Sequence, residues 1–125
     1  MKLGSFLKVK AAVSLFFGAG MLIMPATLVS LYGLVFDAAA TAMMRTAGAM
    51  FIGTCVACWY LSAAPESETR QGLILALFVQ DTIGFLVWLA GMLGRMAGPL
   101  GWVNVVIWLL LALGLGYFRF MQPAS

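Results

Sequence analysis

Apolar residues run almost unbroken through four stretches of this chain, and the polar residues gather between them. The stretches cover about 10–31, 39–61, 72–93 and 99–118, each long enough to cross a hydrocarbon core of about 30 Å as a helix. The segments that join them, such as "SAAPESETRQ" and "GRMAG", are short and carry turn residues. Short links between spans predict an all-α integral membrane protein, a four-transmembrane-helix antiparallel bundle with one membrane domain over 1–125. Pro25 falls in the last third of the first stretch, where a kink is expected and tolerable. Cleavage after Ala26 as a signal peptide is disfavoured, because the apolar run continues through Leu28, Val29 and Leu31.

Composition agrees with the pattern. The chain has 125 residues, 64% hydrophobic and only 9% charged, against about 25% charged in soluble domains. Its net charge of +3 forms no basic stripe, so nucleic acid is not expected as a partner. The cations report orientation instead: Lys2, Lys8, Lys10, Arg70 and Arg119 fall on one side and Arg95 on the other, which places both termini in the cytoplasm. There is no histidine, which argues against histidine-ligated haem, the usual zinc sites and histidine proton relays.

Two charges interrupt the apolar stretches, Arg45 in the second and Asp81 in the third. Each costs about 2.5–3.5 kcal/mol at a helix centre, so each should face protein or water. At 1.5 Å of rise per residue they come to similar depths in an antiparallel bundle. Arg45 also belongs to a row at spacing four, Thr41, Arg45, Ala49, Gly53 and Ala57, and such small residues let helices approach closely. The expectation is a buried Arg45–Asp81 ion pair, with Gln80 and Asn104 completing a polar site. That site either fixes the fold or handles a ligand or proton.

Two further groups carry candidate chemistry. Met21, Met24, Met43, Met44, Met92 and Met96 map to the outer half of the bundle; thioethers suit Cu(I), although methionines also simply fill cores. Cys55 and Cys58 form a C-x-x-C. In this they resemble two families of four-span thiol oxidases, the bacterial disulfide-forming membrane oxidase and the vitamin K epoxide reductase type, which imply a quinone. The second, shuttling cysteine pair of those families is absent here, and packing as small apolar residues is the plainer reading of the two thiols. No phosphate-binding loop or nucleophile elbow is present, so hydrolytic and phosphoryl-transfer catalysis are not expected.

The pattern Arg45-x-x-Gly48, Ala64-Pro65-x-Ser67, Gly84 and Gly101-Trp102 resembles a group of small bacterial four-span proteins of unknown function. The resemblance implies the fold and a bacterial inner-membrane home, and no activity. The span count and the Arg-x-x-Gly are also similar, at the level of shape, to the fungal ergosterol-biosynthesis scaffold protein, which tethers enzymes. The leading expectation is a non-catalytic accessory or scaffold subunit, bound to other membrane subunits or to copies of itself. The alternatives are a small transporter or ligand-binding protein using Arg45 and Asp81, and Cu(I) handling through the methionines.

Overall fold

A computed structural model describes residues 2–34 and 37–121. Over these residues it is helical, without strands. The elements are α1 (Leu3–Ile23), α2 (Pro25–Leu31), α3 (Ala38–Ala63), α4 (Glu68–Leu93) and α5 (Gly101–Gly116), which continues as a π-helical turn, Tyr117–Met121. Four helical stretches are long and apolar enough to cross a membrane: α1, α3, α4 and α5 with its π-helical turn. The chain is therefore a membrane protein.

The first span differs from the expectation at both ends. It starts at Leu3 rather than Lys10, and it stops at Ile23. Pro25 does not kink it but ends it. Met24 leaves the helical region at φ −128° and ψ 53°, and Pro25 opens α2 in its first turn. Proline has no N–H to give, and the first helical position needs none, so a break with a restart resolves the strain better than a bend.

Local chemistry accounts for the other boundaries. Asp37 opens α3: its carboxylate Oδ1 accepts the Ala40 N–H at 2.8 Å. Ser67 caps α4 from an extended conformation, and its hydroxyl accepts the Arg70 N–H at 3.0 Å. Glu66 steadies this turn by accepting from the Ser67 N–H and from the Gln71 amide. These caps satisfy donors that a helix start leaves free. At the other ends, α2 and α4 close alike. Leu34 N–H donates to the Val29 carbonyl, and Met96 N–H to that of Gly91. This is the Schellman arrangement, which needs a left-handed residue just past the helix. Gly33 supplies it after α2 at φ 69°, and Arg95 supplies it after α4 at φ 58°. Val35 and Phe36 of the connection into α3 lie outside the described residues.

The chain divides into two compact units, one over Leu3–Ala63 and one from Ala64 onward. In the first, α1 packs on α3 through glycine. A Cβ on Gly4 would meet the Ser62 carbonyl oxygen at 2.9 Å, and one on Gly48 would meet the Gly18 carbonyl oxygen at 2.9 Å. The positions pair in opposite order, so the two helices run antiparallel. Leu3, Leu7, Lys10, Ala11, Ser14 and Gly18 are the buried residues of α1, and their spacing of three and four defines one helix face. In the second unit, α4 and α5 also pair in opposite order. Trp108 covers Gly84, Met92 lies on Gly101, and Phe78 lies on Gly116. Phe78 also meets Phe120 edge-on at 5.5 Å.

Candidate functional site

The four residues expected to form a buried polar site do not share one environment. Asp81 is 0% exposed. Asn104, on α5, is half-buried. Arg45 and Gln80 are exposed, which corrects the expectation of a buried Arg45 and a Gln80 enclosed beside it.

The reason for Arg45 lies in which face of α3 meets α1. Two faces of α3 offered a glycine for close packing, one at Gly48 and one in the row Ala49, Gly53 and Ala57. Gly18 of α1 sits on Gly48. Had α1 used the other row it would have covered Arg45 and stripped a guanidinium of its surroundings, at a cost of several kcal/mol. The row Arg45, Ala49, Gly53 and Ala57 is accordingly exposed along its length. Nothing lies within 4 Å of the place a Gly53 Cβ would occupy.

Gln80 follows from adjacency to Asp81. Consecutive helical residues point about 100° apart, so one of the two can be enclosed while the other faces out. Asp81 shares the buried face of α4 with Arg70, Ile74, Leu77 and Met92, and Gln80 is left on the open side.

The most enclosed cation was not among the expected site residues. Lys10 is 2% exposed. It looked like a boundary marker because two lysines precede it, yet α1 begins at Leu3 and puts Lys10 on its buried face. The spacing Leu3, Leu7, Lys10, Ser14 is the signal that finds it. Neither Lys10 nor Asp81 lacks an interaction partner. Arg70 is also buried, and its guanidinium lies 3.5 Å from the Glu66 carboxylate. Lys8, by contrast, is exposed and stands over the Trp59 ring at 5.6 Å. Outside the spans, burial pushes the Tyr32 phenol above its ordinary value of 10.0.

Cys55 and Cys58 form no disulfide and sit inside α3, not at its end. A helical interior holds such a pair in poor geometry for a disulfide. Of the methionines, Met92 is buried on Gly101 and Met96 folds over Gly91. Met21 backs onto Gly48, while Met24 and Met43 are exposed and Met44 is half-buried. Among the described residues no three of histidine, cysteine, aspartate and glutamate stand together to hold a metal. No family model matches the chain, and no curated protein or solved structure matches it either.

Proposed function

We propose that the protein is a non-catalytic subunit of a larger complex in the bacterial cytoplasmic membrane, with its spans alternating in direction and both termini cytoplasmic. The observation that carries this reading is the open row Arg45, Ala49, Gly53 and Ala57 on α3. Small residues at every fourth position are a surface on which a second helix packs closely. Arg45 lies roughly 10 Å from the start of α3, within the depth of the bilayer. Facing lipid there costs about 2.5–3.5 kcal/mol, less whatever its long stem recovers by reaching toward the near interface. A partner helix that brings a carboxylate to that level removes the cost and fixes the register of docking.

Purification of the tagged chain from its own membranes, with native mass spectrometry of what accompanies it, tests this. The parent should carry a partner chain in fixed stoichiometry. Gly53→Leu should lose that partner while the purified variant keeps the parent's thermal stability, since the position is open. A parent that leaves the membrane without a partner chain would falsify the reading.

One observation favours a second reading. Asp81 is fully enclosed on the buried face of α4, and an ionisable group inside a span is a functional candidate by default. As a small transporter, the protein would lose flux in Asp81→Asn and keep its assembly.

A further inference from the structure

The open side of α4 carries a second row, distinct from the Arg45 row of α3. Thr69, Leu73, Ala76, Gln80, Ile83, Val87, Ala90 and Gly94 follow one another at alternating intervals of four and three, and every one is exposed. Ile83 and Val87 leave 56% and 60% of their surface open. This is the seven-residue repeat of a left-handed helix pair, the commonest way that membrane helices pack. The row holds no charge, and the alanines at 76 and 90 let a facing helix approach.

Gln80 breaks the apolar row at the midpoint of α4, which runs Glu68–Leu93. A primary amide there stands near the centre of the bilayer, where lipid tails offer it neither donor nor acceptor. No hydrogen bond joins it to another side chain or loop among the described residues. What it needs is a group at the same depth that both gives and accepts. Copies of one chain enter a membrane in the same orientation, so a two-fold axis relating them runs along the membrane normal. Any residue on that axis meets its own copy at its own depth. An amide is self-complementary: each carbonyl accepts from the other's NH2. One polar residue in an otherwise apolar seam also fixes register and oligomeric state.

We propose that two copies of this chain associate through a parallel α4–α4 pair along this row, with the Gln80 amides hydrogen-bonded to each other across the two-fold axis. The proposal does not rest on the accessory reading, which uses α3. A chain that self-associates and binds nothing else would sink that reading and leave this one intact.

The experiment is energy transfer between donor- and acceptor-tagged full-length chains in liposomes, over a series of protein-to-lipid ratios. The parent should show dimer transfer well above random proximity. Gln80→Leu should weaken association at least tenfold, Gln80→Asn should largely preserve it, and Val87→Trp should block it. In micelles dilute enough to separate the copies, all three should melt like the parent, since both positions are exposed. In native membranes, single cysteines at Ile83, Val87 and Ala90 should cross-link copy to copy, and one at Leu75 should not. A parent without excess transfer, a Gln80→Leu dimer as tight as the parent, or cross-linking at Val87 to a different chain each overturns the proposal.

Discussion

Gly48→Ala isolates the packing of α1 on α3 when it is compared with Gly53→Ala. The new methyl at position 48 would stand 2.9 Å from the Gly18 carbonyl oxygen, 3.0 Å from Met21 Cβ and 3.2 Å from Leu22 Cγ. Ordinary contact distances are about 3.5–4.0 Å. The oxygen and the Met21 Cβ cannot rotate away, so α1 itself must withdraw by several tenths of an ångström. Forced overpacking of this kind costs about 1–3 kcal/mol. Alanine also favours the helix over glycine by roughly 0.8–1.0 kcal/mol, which would mask part of the loss. Gly53→Ala has the same propensity gain in the same helix, with nothing within 4 Å of its methyl. The difference between the two variants is therefore the packing cost alone, about 1–3 kcal/mol in favour of Gly53→Ala. Reversible unfolding in mixed micelles, titrated with SDS, measures it. Gly18→Ala provides the mirror test, and the double variant with Gly48→Ala should be non-additive because the two sites touch. Equal stability of Gly48→Ala and Gly53→Ala would refute the glycine-on-glycine contact and the antiparallel pairing drawn from it.

Two further substitutions test the helix ends. Arg95→Gly should stabilise the chain by about 1 kcal/mol, because a side chain at φ 58° carries a left-handed penalty that glycine lacks; an unchanged melting temperature would mean that the Schellman turn after α4 is not formed. Ser67→Ala should cost about 1 kcal/mol through loss of the cap on the Arg70 N–H, and Ser67→Asp should restore it; equal melting of all three would remove the cap from the account.

The spans themselves were legible because length and hydropathy alone decide them. The apolar pattern starts the third stretch near 72, yet α4 begins at Glu68, because hydropathy does not register the polar first turn that the Ser67 cap opens. The sequence cannot show which of two glycine-bearing faces of α3 a neighbour will choose, and the expectation for Arg45 failed on that point. Only the row with Gly53 was read as a packing surface, and the contact with Gly18 falls on Gly48 instead. Lys10 was misplaced for a different reason. A helix start without a strong cap leaves the boundary at α1 unmarked, so its lysines read as a flank although their spacing put Lys10 inside. Pro25 was seen but underestimated, because proline tolerates either a bend or a restart and the sequence around Met24 does not decide between them.

The meeting of Gly18 with Gly48 also orders events during synthesis. α1 leaves the ribosome first, but its partner is complete only once Ala63 has been added. At ~5–20 residues per second, the roughly 40 residues from Ile23 to Ala63 take about 2–8 s. For that interval α1 stands in the bilayer with the Gly18 backbone uncovered by α3. Something in the insertion machinery must shelter that face, or the helix must wait in lipid with a surface shaped for close approach. Yield in a cell should then depend on translation speed between codons 24 and 63 more than on speed after Leu93, because α4 waits for a shorter segment. Synonymous rare codons placed in the first window, which leave every residue unchanged, would therefore act on this protein as a folding defect.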